Sequence, residues 1–448
     1  MTVLEEILIA REERESLRRK ISANGYAVIS LNLNVPGYPK TGPVYKQFFD
    51  VCIRQLKNWL SANRLSIDLL NEVTLSHAAG DFYIVQIKSI GDGLLRLKEI
   101  TEQFEQNHPL GRFIDVDVTD QNGIFCSSGK LKSCFFCQSF PAIDCARKQR
   151  HATEQLLAFQ QDNIIFYLRE LRIDRISHTV SSLAVRSLLY ELTLTPKPGL
   201  VDREGNGVHT DMDLKLFIDS TSVISSWFAG LVKAGAGCSA DGLPKALPII
   251  RSIGLMMEND MFLQTHGINT QKGIIFLMGI SLFCAGYVLK ESEQFDPDFF
   301  ANSIKIVCNK LVEDELSKPG DQLSHGELCY RKYKVGGVRE EAELGFPSVF
   351  GHALPVLEAE KNTGSEALYK TLISLMGVVN DTNVLHRSDK ATLERLQIMS
   401  RKVAADFTME AYRDIIGFCR QKGISPGGSD DLLSITIFIF LLKNELLQ

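Results

Sequence analysis

The first twenty residues alternate apolar and charged positions at helical spacing. Leu4, Ile7, Leu8 and Arg11 fall along one stripe, which predicts an amphipathic helix. Residues 26–35, YAVISLNLNV, have strand-forming composition and stop at the turn Pro36-Gly37. Phe82 to Ile87 is a second β-rich run and Arg112 to Val118 a third. From about residue 170 the strand signals nearly vanish. Long helical patterns take over, punctuated by short polar, glycine-bearing stretches at 195–213, 265–273, 319–347, 377–387 and 425–433. The polar run at 160–172 is the natural junction, and no internal repeat of fixed period is visible. The pattern predicts an α+β N-terminal domain, a small mixed sheet with helices, over residues 1–168. An all-α C-terminal domain follows over 169–448.

Composition narrows the class. The 448 residues are 45% hydrophobic and 23% charged, with a formal net charge of −5, which excludes wholesale disorder and a generally basic nucleic-acid binder. Ten cysteines in a chain without a signal-peptide pattern read as reduced thiols or metal ligands of a cytoplasmic protein. Residues 273–289, GIIFLMGISLFCAGYVL, carry no charge. As a helix they would reach roughly 25 Å, short of a hydrocarbon core of about 30 Å. Three glycines in the run suit close helix packing, so a buried central helix is expected rather than a membrane span.

Candidate chemistry in the N-terminal part begins with Asp115 and Asp117. On a strand they project from one face while Ile114, Val116 and Val118 cover the other. Two adjacent carboxylates repel unless a cation lies between them, and magnesium bridging phosphate oxygens is one solution. A solvated acidic edge is the other. Further on, Cys134, Cys137, Cys145 and His151 match a closed zinc site in ligand type and number, though buried cysteines beside a helix-start histidine fit the same residues. Lys130, Lys132, Arg147, Lys148 and Arg150 surround them, a positive patch for phosphates or for the acidic surface of a carrier protein.

The run LNLNVPGYPK ending at Lys40, then GRFIDVDV, then the Cys-x-x-Cys with CARKQRH, resembles the citrate lyase holo-acyl-carrier-protein synthase family over most of residues 1–160. The resemblance implies transfer of a phosphoribosyl-dephospho-CoA group to a serine of the lyase's acyl carrier (gamma) subunit, with release of diphosphate. It makes Asp115 and Asp117 metal carboxylates, and Pro36, Gly37 and Lys40 a phosphate-facing loop. Two departures stand out. Ser127-Ser128 replaces the usual Ser-Arg pair, and Lys132-Ser133 stands where an arginine precedes the first cysteine. Lysine restores the charge without arginine's fork.

In the C-terminal part, the segment from Glu191 to Asp213 is too polar and turn-rich for a core. Lys197 and Arg203 suit phosphate; Asp202, Asp211 and Asp213 suit a metal or a hydroxyl; His209 suits proton transfer near neutral pH. Asn269 and Lys272 lie in a loop leading into the uncharged helix. Arg339 with Glu340, Glu341 and Glu343 adds a cation and carboxylates. Asp381, Asn383 and Arg387 add another set, and Ser429 sits at a predicted helix start. Together these clusters point to one polyphosphate site between helices.

TPKPGLVDR, GVHTDMD, GINTQKG, GVREEAELGFP, NDTN and SPGGSDDLL, in that order, resemble the triphosphoribosyl-dephospho-CoA synthase family over roughly residues 175–445. The resemblance implies that ATP and 3′-dephospho-CoA are substrates: the triphosphoribosyl part of ATP joins the ribose 2′-hydroxyl of 3′-dephospho-CoA and adenine leaves. Gln271 replaces a common histidine and Asp430 a common alanine. The combined expectation is a two-step enzyme for the citrate lyase prosthetic group, needing magnesium and carrying a candidate structural zinc. Its partners are nucleotides and the carrier subunit, with neither nucleic acid nor membrane. The alternatives are the same chemistry serving malonate decarboxylase, or an N-terminal module that only recruits the carrier.

Overall fold

The computed structural model describes the chain apart from residues 1, 23–25, 89–92, 291, 293, 317–324 and 447–448, so the start of the 319–347 stretch lies outside the described residues. Contacts divide the chain into two compact units, Met1–Leu171 and Arg172–Gln448.

The first unit is built from α1 (Val3–Ser22), β1 (Val28–Leu33), α2 (Pro43–Ala62), β2 (Ile67–His77), β3 (Gly80–Ile87), α3 (Leu94–Asn107), β4 (Ile114–Thr119), β5 (Phe125–Cys126) and α4 (Ala142–Arg147). The strands form one sheet in the order β2-β3-β1-β4-β5. The sheet is not mixed as expected: β1 is antiparallel to both β3 and β4, and the outer pairs are antiparallel too. The connections explain this. Each helical crossover, β1-α2-β2 and β3-α3-β4, joins strands of like direction that sit one strand apart, and an antiparallel strand fills each gap. This is the split β-α-β arrangement of ferredoxin-like folds.

Strand β2 escapes the alternation rule because its pairing to β3 shifts between Asp68 and Glu72, leaving Leu69 and Leu70 exposed on an edge strand. Strand β3 is buried along its whole length. One face of the sheet, with Ile29, Leu31, Val85, Val116 and Val118, packs on apolar residues of α2 and α3 such as Phe48, Leu56 and Phe104. The opposite face carries a small cluster of Val28, Phe82 and Ile84 with Leu17 and Ile21 of α1. Ser30 and Asn32 alternate with the core positions of β1 and pair with Asp117 and Asp115, so the two aspartates stand on the α1 side of the sheet.

The polar run at 160–172 is not a loop. It lies within α5, Thr153–Thr193, a continuous helix of 41 residues. Ile164 joins the core of the first unit, and Ile176, Val180, Ala184 and Leu188 join the core of the second.

Among its described residues the second unit is helical throughout. Its centre is the helix Lys272–Leu289, whose side chains from Ile274 on are buried on nearly every side, Phe276 being the partly covered exception. It is the one described helix long and apolar enough to cross a membrane, and protein encloses it. Glycines set its closest contact. A Cβ at Gly286 would meet the Val232 carbonyl oxygen at 2.1 Å, and one at Gly235 would meet that of Phe283 at 1.9 Å. The helix Phe228–Gly237 therefore crosses it backbone to backbone.

Candidate functional sites

In the first unit the pleat does what the period-2 pattern predicts: Asp115 and Asp117 are partly exposed on one face of β4, while Ile114, Val116 and Val118 are buried on the other. Burial, then the charge of Asp115, pushes the Asp117 carboxyl above its usual range. Each aspartate has a cation at its flank. Lys132 Nζ lies 3.1 Å from Asp115 and 2.7 Å from Glu105, and Arg18 of α1 lies 3.9 Å from Asp117. Arg18 is held in place by a bond from Nε to Ser30 Oγ (3.3 Å) and by the Phe82 and Phe125 rings. Glu105 in turn accepts the Val116 amide at 2.7 Å.

Sequence reasoning missed Arg18 and Glu105. Both lie on helices that read as ordinary amphipathic elements, and only the sheet's register brings them beside β4. Lys40 donates to the Val35 carbonyl at 2.6 Å; burial, then Arg11 and Arg14, lowers its pKa.

Cys134, Cys137, Cys145 and His151 converge: one ligand atom from each lies within 4.8 Å of the other three. The Cys134 amide bonds to Phe140, and the Cys145 amide to Pro141, so the two arms of the loop close on themselves.

In the second unit the five polar stretches meet through specific pairs. Lys197 Nζ is buried between Glu191 and Asp430, the latter at 3.0 Å. Its backbone amide donates to Asp202 Oδ2 at 2.7 Å, while Asp202 Oδ1 accepts the amides of Glu204 and Gly205. Tyr412 OH bonds the Pro196 carbonyl at 2.9 Å, and Tyr369 bonds that of Thr195. His209 bridges two motifs: Nε2 lies 3.0 Å from Ser425 Oγ, and Nδ1 lies 3.4 Å from Arg387 Nη2. Because a guanidinium only donates, Nδ1 accepts and Nε2 carries the hydrogen. Burial, then Arg387, lowers the His209 pKa, with Asp211 opposing.

Asp381 Oδ2 accepts both the amide (2.9 Å) and the hydroxyl (3.1 Å) of Ser429, and its other oxygen caps the helix Thr382–Arg387 through the Asn383 amide. Asn383 packs on Gly427, where a Cβ would lie 2.8 Å from its Nδ2. Gly273 lies so close to Asp431 that a Cβ there would come 2.1 Å from Oδ2, which joins the Asn269–Lys272 loop to the start of the helix Gly427–Glu445. Asn269 Oδ1 accepts the Lys272 amide, and Lys272 Nζ pairs with Glu258 at 2.8 Å. Gln271 is buried against Ser220 and Thr221.

The remaining stretch is tied in at Gly337, which packs on Thr382. There Arg339 pairs with Glu315 at 3.0 Å and Glu340 accepts the Gly336 amide at 3.0 Å. Arg203 and Asp211 are exposed, and Asp213 caps the helix Leu214–Ile224.

Two more buried carboxyls of the second unit stand at the start of the helix Gly427–Glu445. Asp430 Oδ1 is buried without a partner. Asp431 is raised well above the usual carboxylate range by burial, then by Glu191 and Asp381. Glu191, Asp430 and Asp431 thus crowd acidic groups about the buried Lys197, with Asp381 acting on Asp431, an arrangement a divalent cation stabilises.

Charged side chains gather on a sheet face in the first unit and among helix starts in the second, and the class they belong to is that of the transferases. The chain belongs to the ATP:dephospho-CoA triphosphoribosyl transferase family, whose family model matches residues 177–447. The model for apo-citrate lyase phosphoribosyl-dephospho-CoA transferase matches residues 2–165. A protein named CitXG from Leuconostoc mesenteroides subsp. cremoris is 29% identical over 99% of this chain and 98% of its own length. The 2-(5''-triphosphoribosyl)-3'-dephosphocoenzyme-A synthase of Klebsiella pneumoniae is 36% identical over 58% of this chain and 89% of its own. A probable synthase of the same name from Malonomonas rubra is 36% identical over 61% and 90%. The chain is therefore a fusion of two transferases of citrate lyase prosthetic-group biosynthesis and attachment.

Proposed function

We propose that residues 169–448 join the triphosphoribosyl part of ATP to the 2′-hydroxyl of 3′-dephospho-CoA and release adenine. Residues 1–168 then transfer phosphoribosyl-dephospho-CoA to a serine of the citrate lyase acyl carrier subunit and release diphosphate, in the cytoplasm. The observation that carries this reading is the fusion itself, since one half's product is the other half's substrate. A relative spans the same two halves end to end. A shared chain raises the local concentration of the intermediate.

In the second unit, breaking the N-glycosidic bond builds positive charge on the ribose, which nearby carboxylates stabilise. Asp431 and Asp430 are the best placed of these, with Asp211 and Glu340 at the margins. Lys197 holds Glu191 and Asp430 together and shapes the loop rather than meeting phosphate. Arg387, Arg203, Lys272 and Arg339 neutralise the triphosphate, and Asn269, Asn383 and Ser429 orient it. Asp202 and Asp381 hold the motifs in register through the backbone amides they accept. His209, kept neutral by burial, aims Arg387 rather than storing a proton.

In the first unit, Asp115 and Asp117 hold magnesium. Their mutual repulsion and shared face fit a divalent cation, which neutralises phosphate charge when bound. Arg18 and Lys132 flank the pair and Lys40 serves the incoming phosphates. Cys134, Cys137, Cys145 and His151 hold zinc.

The test is to supply purified protein with ATP, magnesium and dephospho-CoA and to follow adenine and adduct by chromatography and mass spectrometry. Adding the apo carriers of citrate lyase and of malonate decarboxylase in separate reactions identifies the acceptor. Carrier binding that persists with no mass increase on either carrier means a recruiting module instead.

A further inference from the structure

The four cysteine and histidine side chains of the first unit do more than lie near one another. Cys137 Sγ and Cys145 Sγ are 3.7 Å apart. A tetrahedron with metal–sulfur bonds of about 2.3 Å has an edge of about 3.8 Å. That separation is much longer than a disulfide of about 2.05 Å, and the cysteines are free thiols. Two of the three sulfurs belong to buried residues, Cys134 and Cys145. His151 supplies a further observation: its Nε2 is buried and has no hydrogen-bond partner. Buried polar atoms are seldom left in that state without a ligand.

The surroundings fit the charge of such a site. Three thiolates and one neutral imidazole around a divalent ion leave a net charge of −1, the three thiol protons passing to solvent. Lys130, Lys132, Arg147, Lys148 and Arg150, all exposed, flank the four ligands along the chain. No position remains for water or substrate, which marks a structural ion and not a catalytic one.

The loop that carries the ligands is tied to β4 and α3. Arg112, in the turn just before β4, donates to the Ser133 carbonyl, with Nε at 3.1 Å. One residue earlier, Lys132 bridges Glu105 and Asp115. The Lys132 carbonyl accepts the Ala142 amide, beside the helix that carries Cys145. We propose that Cys134, Cys137, Cys145 and His151 bind one zinc ion, and that the ion fastens the segment 132–151 so that Lys132 lies across the Asp115 carboxylate.

The metal site stands on its own geometry. Its consequence for catalysis rests on the transferase reading above. Full-length protein purified without chelator carries about one zinc per chain, and Cys134→Ser and Cys145→Ser each lower this to about a tenth or less. Cobalt exchanged into the site gives the intense visible absorption of a tetrahedral thiolate complex. Zinc depletion speeds tryptic cleavage within 130–150 at least tenfold, and restoring zinc reverses it. Both cysteine variants lose carrier loading while adenine release from the second unit stays as in the parent protein. Lys132→Arg keeps zinc and most loading, whereas Lys132→Ala keeps zinc and raises KM for the triphosphoribosyl precursor.

A zinc content near zero that added zinc does not raise overturns the proposal, as does a weak octahedral cobalt spectrum or a Cys137–Cys145 disulfide in freshly purified protein. Intact zinc with no loading by the parent protein contradicts the transferase reading alone.

Discussion

The two units make their sites in different ways. In the first, the central pair sits two residues apart on one strand, and the pleat alone places Asp115 and Asp117 on a common face. In the second, the decisive contacts join residues far apart in the chain: Lys197 to Asp430, His209 to Ser425, Asp381 to Ser429. A sheet displays its chemistry along one segment, whereas a helical unit assembles it from the loops between helices. The first kind of site tolerates loss of one motif in its framework. The second has its motifs interlocked, so chemistry and stability are coupled there.

This contrast can be broken most sharply at the aspartates. Asp115→Asn/Asp117→Asn should lower carrier loading on the order of 100-fold or more, with adenine release and thermal stability little changed. A parallel fall in adenine release would show that the sites are not separate. In the second unit the same kind of change should cost stability. Lys197→Met leaves Glu191 and Asp430 buried together without their cation, a loss of about 3–5 kcal/mol. Two tryptophans make the comparison measurable, since Trp59 belongs to the first unit and Trp227 to the second. Urea unfolding of single-tryptophan variants should place the whole loss on the Trp227 signal.

Acid reverses the asymmetry. His108 is buried, its Nδ1 accepting the Leu110 amide at 2.9 Å and its Nε2 facing Gln55 Oε1 at 3.0 Å. Burial lowers its pKa from 6.5 to about 4. Between those values the unfolded chain binds a proton that the folded unit does not, so stability is full above about 6.5 and falls as the pH drops toward 4. The loss is at most about 3 kcal/mol and should appear on the Trp59 signal. His108→Gln should flatten that slope. The smallest effect is expected at Lys272, whose pairing with Glu258 is half exposed. Lys272→Ala should change stability by less than about 1 kcal/mol while raising KM for ATP.

How much could be read from the sequence follows the same division. The alternation Ile114-Asp115-Val116-Asp117-Val118 announced both a strand and the face that carries the two aspartates, and the uncharged run after Gly273 announced a buried helix. The antiparallel sheet was not legible, because β2 breaks its alternation at the Asp68–Glu72 irregularity. Nor was the helical continuity of 160–172, whose polar residues read only as a junction. In the second unit the motifs were visible but not their pairing. Lys197 looked like a phosphate ligand until Glu191 and Asp430 proved to enclose it. Asp202 looked like a metal ligand, though its oxygens accept three backbone amides. Side chains that bind phosphate and side chains that pin loops are the same types, and only distance tells them apart.

The central claim is that one chain carries two successive transfers. It is tested most directly by incubating the full-length protein with ATP, magnesium, dephospho-CoA and apo carrier, and measuring adenine, diphosphate and the intact mass of the carrier together. The account predicts adenine and diphosphate in equal amounts, and a carrier heavier by one phosphoribosyl-dephospho-CoA. Adenine release with an unmodified carrier, or no adenine at all, would contradict it.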